Sequence, residues 1–110
     1  MSTSKNLWRF SIVAVMAIAA VAWTTPAFAA AADTYKSKCA MCHGADGKSS
    51  AIGQKMGAHD FSSAEVQGQS DAQLTETISK GKGKMPGYEK SLSAADIKGL
   101  VAYVRELGKK

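Results

Sequence analysis

The sequence is poor in the residues that cross-link small domains or hold structural zinc. Its 110 residues include only two cysteines, two histidines and two prolines. One pair of cysteines cannot build a disulfide scaffold, and one pair of histidines leaves a zinc site short of ligands at metal spacing. The sequence also lacks useful lengths of apolar–polar alternation, internal repeats and low-complexity tracts. These absences disfavour a sheet-built domain and a repeat array, and they leave a small helical domain.

The first 29 residues have the pattern of a secretory signal peptide. Lys5 and Arg9 precede an uncharged, mostly apolar run over residues 11–23, which is too short to span a bilayer comfortably. Residues 27–29 have the small–x–small shape of a cleavage site. We expect cleavage after Ala29, which leaves residues 30–110 as one exported, periplasmic domain without stable membrane insertion and lowers the formal charge from +5 to +3. The alternative is an uncleaved N-terminal membrane anchor.

The most specific motif is Cys39-Ala-Met-Cys42-His43. Two thiols at this spacing, followed directly by a histidine, are typical of covalent haem c attachment. Each sulfur can add to one haem vinyl group, and the adjacent imidazole can then ligate the iron. A redox dithiol, half of a zinc site and a local disulfide are the alternatives. No strand pattern precedes Cys39, as a thioredoxin-like dithiol would require, and the disulfide would close a loop of only two residues.

A second chemical feature is the loop over residues 81–88, which contains three glycines and a proline. Such a loop cannot continue a helix, and Pro86 biases Met85 toward an extended backbone. Met85 is therefore a candidate thioether ligand, and an ordinary buried methionine is the alternative. Met56 lacks the proline context. His59 lies 16 residues after His43 in a polar loop, and we expect it to be exposed and not a ligand.

The sequence predicts three helices after the signal. The first runs from about Ala32 to Met41, the second begins after Ser70 and ends at Gly81, and the third begins after Ser93 and ends at Gly108. The second helix opens with a capping box of Ser70 and Gln73. The third has an apolar stripe at helical spacing, formed by Ile97, Leu100, Val101, Val104 and Leu107.

With these motifs, the mature chain resembles a small bacterial class I cytochrome c. The matching residues are Tyr35, Cys39, Cys42-His43-Gly44, Leu74, Ile78, Gly81, Met85-Pro86, Leu92, Ile97, Leu100, Tyr103 and Val104. The resemblance implies an all-α fold, with three main helices and loops wrapped around one covalently attached haem. It implies that the first and last helices cross where Tyr35 and Tyr103 meet. The residues it implies for the haem pocket or nearby packing are Tyr35, Ile52, Ile78, Pro86 and Leu100.

The resemblance also implies a function, that of a soluble monohaem one-electron carrier. His43 and Met85 would ligate the haem iron, and donor and acceptor redox proteins would dock weakly near the haem edge. We expect that edge to be rimmed by lysines, which favours acidic partners. The lysines are Lys48, Lys55, Lys80, Lys82 and Lys84. A positive chain without a basic stripe along a helix is a poor candidate for binding nucleic acid.

Two other functions stay open on the sequence. One is a haem subunit or module of a dehydrogenase or peroxidase, although the chain has no substrate-pocket motif and no evident acid–base pair. The other is a gas-binding or sensing haem with a weak sixth ligand. The chain also departs from many relatives because no proline lies between His43 and Pro86. We therefore expect a different carbonyl, in the range Ala51–Gly53, to accept a hydrogen bond from the proximal histidine.

Overall fold

The computed structural model describes residues 26–110, which are built from helices and turns. The helices are α1 (Pro26–Lys38), α2 (Ala40–His43), α3 (Ala51–Lys55), α4 (Ala64–Gln67), α5 (Asp71–Lys80) and α6 (Ala94–Leu107). These residues contain no strand, only an isolated antiparallel bridge between Lys82 and Met85. Most of the predicted signal peptide falls on residues 1–25, outside the described residues. None of the described helices is long and apolar enough to cross a membrane.

The two longer predicted helices of the C-terminal half are confirmed at both ends. The Ser70 hydroxyl accepts from the Gln73 backbone N–H, and the Gln73 side chain accepts from the Ser70 N–H. Ser93 and Asp96 form the same reciprocal cap at the start of α6. These caps pair backbone donors that would otherwise have no partner. Helix α5 ends at Gly81, whose φ of 80° and ψ of 171° form a conformation that glycine tolerates and other residues rarely adopt.

The first predicted helix is interrupted before the haem motif ends. Helix α1 already includes Pro26, upstream of the expected start, and stops at Lys38. Cys39 has φ −117° and ψ −36°, which turns the chain before the separate single-turn helix α2. The segment between the first two predicted helices also contains α3, whose start is capped by the Ser50 hydroxyl accepting from the Gly53 N–H.

The core lies where α1 packs against α6, with α5 beside α6. Tyr35 of α1 and Tyr103 of α6 meet with ring centroids 5.0 Å apart, as expected. A Cβ on Gly99 would lie 3.3 Å from the Ala31 Cβ, so two small residues let these helices approach closely. Phe28, on the signal side of the predicted cleavage site, also contacts Tyr103, at 5.5 Å between centroids. The buried apolar residues of this core are Tyr35, Phe61, Val66, Leu74, Ile78, Ile97, Leu100, Val101, Val104 and Leu107.

Candidate functional site

The two cysteines and His43 sit on one backbone turn. Cys39 caps α2, and its carbonyl accepts hydrogen bonds from the N–H groups of Cys42 at 3.2 Å and His43 at 2.9 Å. Both thiols are free and partly buried. Burial raises the pKa of the Cys39 thiol, and the nearby Cys42 raises it further against the opposing effect of Lys38. The turn therefore presents two sulfurs and an imidazole from five consecutive residues.

The backbone after His43 is held by the buried tyrosine of α1. The Tyr35 hydroxyl donates to the Gly44 carbonyl at 2.5 Å. Gly44 has φ 78°, so a side chain at this position would be strained. Tyr35 is 2% exposed, and burial raises its pKa well above its ordinary value, with Cys39 adding a smaller effect in the same direction. Tyr35 thus links the α1–α6 crossing to the chain immediately after the proposed iron ligand.

Helix α3 docks on the backbone of the haem motif. The Ser50 hydroxyl contacts the carbonyls of Met41 at 2.6 Å and Cys42 at 3.1 Å. A Cβ at Gly53 would fall 1.8 Å from the Cys42 carbonyl oxygen, which leaves room only for glycine. The sequence did not predict this contact, because nothing in its position distinguishes Gly53 from the other glycines between His43 and Phe61.

His43 is oriented differently from our expectation. Its ring packs on Phe61, with centroids 4.9 Å apart and planes 33° apart. Its Nδ1 is buried and has no hydrogen-bond partner among residues 26–110, so the predicted bond to a carbonyl in the range 51–53 is absent. Two of these carbonyls, those of Ile52 and Gly53, accept instead from the N–H groups of Met56 and Ala58. Burial lowers the pKa of His43, which favours the neutral imidazole that metals bind.

Met85 is carried on a strap, which we define as residues 81–88. The backbone groups of Lys82 and Met85 bond to each other in both directions, at 3.0 and 3.1 Å. A Cβ on Gly81 would lie 2.5 Å from the Met85 carbonyl oxygen, and one on Gly87 would lie 2.6 Å from the Ser79 carbonyl oxygen. The Met85 side chain is partly buried against the core. Glycine is therefore required for this tight return of the chain.

Tyr88 closes the strap onto α1 and was missed by the sequence analysis. Its hydroxyl donates to the Lys38 carbonyl at 3.2 Å, and its N–H donates to the Ile78 carbonyl at 2.9 Å. Burial raises the pKa of Tyr88, and the charges of the ionised Cys39 and Cys42 thiols would raise it further. An aromatic residue directly after a proline–glycine turn was the available signal for its role.

The remaining predicted residues fall into two groups. Ile78 and Leu100 are buried in the core, as is Tyr35. Ile52, on α3, is 54% exposed, and Pro86 is also exposed. Their contact with a haem stays a prediction.

The two rejected ligand candidates lie at the surface. His59 pairs with Glu65 at 3.0 Å, and both side chains are largely exposed. Met56 is 42% exposed.

The donor set fits a covalently held haem. Two free thiols, a neutral imidazole and a thioether are the groups that c-type haem attachment and His/Met ligation use. Cys39 and Met85 both pack against the core cluster, and the hydrogen bond from Tyr88 to Lys38 joins the strap to the residue before the motif. The helical fold and this arrangement define a class I cytochrome c.

Comparison with known proteins gives the family. Residues 26–104 match the family described as cytochrome c oxidase, cbb3-type, subunit III, and the chain belongs to it. It is therefore a haem-bearing electron-transfer protein, with haem c and its iron as cofactor.

Two curated relatives and one solved structure show the extent of the similarity. The chain is 39% identical over 77 residues to the cbb3-type cytochrome c oxidase subunit CcoP of Azospirillum brasilense, and the alignment covers 67% of this chain and 26% of that protein. It is 35% identical over 86 residues to subunit FixP of Azorhizobium caulinodans, covering 76% of this chain and 28% of the other. The solved KustC0563 c-type cytochrome is 33% identical, with TM-score 0.66, covering 70% of this chain and 95% of that one. The chain thus spans about a quarter of the curated relatives' length.

Proposed function

We propose that this protein is a monohaem one-electron carrier whose single haem is bound by thioether bonds to Cys39 and Cys42. His43 and Met85 are its axial ligands. The observation that carries this proposal is that the motif turn and the Met85 strap pack against one core cluster. The buried aliphatic residues Ile78 and Leu100 of that cluster supply apolar surface for a macrocycle.

The chain contributes to electron transfer by holding the proposed iron ligands in a fixed geometry. When bound, haem c supplies one-electron redox chemistry, and a Met/His ligand pair raises its potential relative to two nitrogen ligands. Burial keeps the His43 imidazole neutral and ready to ligate. The two backbone bonds between Lys82 and Met85 keep the strap in one shape. Rigid ligands favour fast electron exchange because little has to move when the charge changes.

Covalent attachment has a direct test. The chain is expressed with haem-maturation machinery, denatured, and extracted with acidified organic solvent. We expect the haem to stay with the polypeptide. A variant with both Cys39→Ser and Cys42→Ser should release it. Complete extraction of haem from the parent protein would contradict the proposal.

Export and processing are part of the same proposal. The chain would carry a signal peptide removed after Ala29 and work in the periplasm as a soluble carrier. The alternative is an uncleaved N-terminal anchor, and it is favoured by one observation. Phe28, which cleavage would remove, packs on Tyr103. Determining the N-terminal residue of the protein isolated from its own cells distinguishes the two.

A second candidate function is a haem subunit or module within a larger redox complex. The similarity to CcoP and FixP, which are named as oxidase subunits, favours it. A free carrier should be isolated from its cells as a monomer that exchanges electrons with more than one partner. Stable co-purification with an oxidase under mild conditions would instead support the subunit.

A further inference from the structure

We propose that Phe61 is a positioning residue that fixes the plane of the His43 imidazole. This inference rests on the proposed role of His43 as an iron ligand. The ring of Phe61 lies 4.9 Å from that of His43 between centroids, at 33° between planes, within the usual range of aromatic contacts. The haem motif does not predict this contact, because Phe61 lies outside it, 18 positions after His43.

Phe61 is held on several sides, so it can act as a fixed support. Its N–H donates to the Gly47 carbonyl at 2.9 Å, and its own carbonyl accepts from Gln67 Nε2 at 2.6 Å. The Tyr35 ring meets it edge-on, with centroids 6.1 Å apart. A Cβ on Gly47 would lie 2.6 Å from the Phe61 ring, which shows how closely the backbone covers it. With 7% exposure, Phe61 has little freedom to move.

His43, by contrast, has no polar restraint on its ring. Its backbone is fixed in α2, but Nδ1 is buried without a hydrogen-bond partner among residues 26–110. Rotation of the imidazole about its bond to Cβ is therefore opposed by packing, and Phe61 supplies the flat face of that packing. An aromatic face resists such rotation more than a branched aliphatic side chain of similar size, because tilting the imidazole breaks a planar contact.

Two measurable properties depend on the orientation of the His43 imidazole plane and on the shielding of that ring by Phe61. In a low-spin ferric haem, the orientation of the axial imidazole plane determines the splitting of the iron d orbitals, and hence the spread of the electron paramagnetic resonance g values. In addition, a hydrogen bond donated by Nδ1 makes the imidazole more basic and stabilises the ferric state. By covering the ring, Phe61 keeps water from this bond and so holds the reduction potential higher.

The test compares Phe61→Leu with Val66→Ala in the holoprotein. Val66 is buried in the same cluster. We expect both variants to unfold at lower denaturant concentration. Only Phe61→Leu should change the g values of the frozen ferric protein and lower the potential. Phe61→Tyr, which keeps the aromatic face, should restore both properties to those of the parent. A Phe61→Leu protein with parental g values and potential would overturn the proposal, as would equal changes in Val66→Ala.

A second measurement needs no folded variant. In the diamagnetic ferrous parent protein, proton–proton Overhauser contacts should connect the Phe61 ring with the His43 imidazole, and their absence would also overturn the proposal. Failure of the underlying function is distinguishable, because it would appear as a His43→Ala protein that keeps the parental low-spin spectrum. If His43→Ala loses that spectrum while Phe61→Leu keeps its g values and potential, only the role of Phe61 is wrong.

Discussion

Met85 is the residue whose role is most easily tested alone. Replacing it with alanine should open one axial position, which permits exogenous ligands such as carbon monoxide to bind and lowers the reduction potential. The measurements are the absorption spectrum with and without carbon monoxide and a redox titration. Met56→Ala is the matched control because Met56 is 42% exposed and outside the strap. A Met85→Ala protein with the ferric spectrum and potential of the parent would show that another group is the sixth ligand.

Tyr35 gives a prediction about stability and pH. Tyr35→Phe removes the hydroxyl that donates to the Gly44 carbonyl, and we expect a loss of about 1 kcal/mol in the free energy of unfolding. Because the folded chain raises the pKa of this phenol above its ordinary value of 10.0, its stabilisation is complete below that pH. Above it, the unfolded chain loses the proton first, so the stabilisation declines as pH rises.

Denaturant titrations of the parent and Tyr35→Phe at several pH values measure this difference. The gap in unfolding free energy should be constant from pH 7 to about 9 and should shrink above pH 10. Other groups titrate equally in both proteins, so the gap isolates Tyr35. A gap that grows with pH would mean that the pKa shift has the opposite sign.

Among the elements, the strap depends most on glycine. Gly81 and Gly83 both have positive φ, 80° and 57°, so alanine at either position carries a backbone cost. They differ in space. A Cβ on Gly81 would lie 2.5 Å from the Met85 carbonyl oxygen, whereas one on Gly83 would meet nothing within 4 Å.

We therefore expect Gly81→Ala to destabilise the holoprotein more than Gly83→Ala does. Only Gly81→Ala should weaken the proposed bond from Met85 to iron, because the clash moves the Met85 backbone. The readouts are the denaturation midpoint and the affinity of the ferric protein for added imidazole. Equal affinities in the two variants would show that the position of Met85 does not depend on the close approach at Gly81.

Local sequence signals explain why some helices could be predicted well and others could not. Helices α5 and α6 have local signals at both ends, namely serine caps and terminal glycines, and an apolar stripe between. The break at Cys39 has no such signal, because cysteine and its neighbours fit a continuous helix. The turn forms because α3 docks on the motif backbone, with Gly53 against the Cys42 carbonyl. Contacts between segments distant in sequence cannot be read from spacing.

The candidate site shows the same difference between features set by local sequence and features set by tertiary contacts. The candidate ligands were recognisable because the chemistry requires certain residue types at a fixed spacing. Their supports were not, since Phe61 and Tyr88 act through tertiary contacts with His43 and Lys38. The hydrogen bond expected for Nδ1 was wrong, and the Ile52 and Gly53 carbonyls of α3 accept instead from the N–H groups of Met56 and Ala58, which follow the helix. That helix was not predicted.

For the whole molecule, the distribution of charge leads to a prediction about partners. The strap carries Lys82 and Lys84, both exposed and without an ion pair within the described part of the chain. Lys80 differs, because it pairs with Glu89 at 3.3 Å. Lysines around the Met85 strap can steer the protein toward an acidic redox partner and leave the complex weak enough to separate. The alternative is that these lysines have no role in docking and only keep the protein soluble.

The second-order rate of electron transfer to an acidic redox protein, measured across salt concentrations, distinguishes these readings. We expect the rate to fall as salt screens the charges, and Lys82→Glu with Lys84→Glu to lower it further at low salt. The matched control is Lys109→Glu with Lys110→Glu, which changes the net charge equally. Lys109 and Lys110 follow the C-terminal end of α6. The helix is about 20 Å long, and its N-terminal end is the one nearer to the strap in sequence. If both double variants slow the reaction equally, net charge alone steers the encounter. If neither does, docking depends on apolar contact, for which Met41, 74% exposed within the motif, is a candidate.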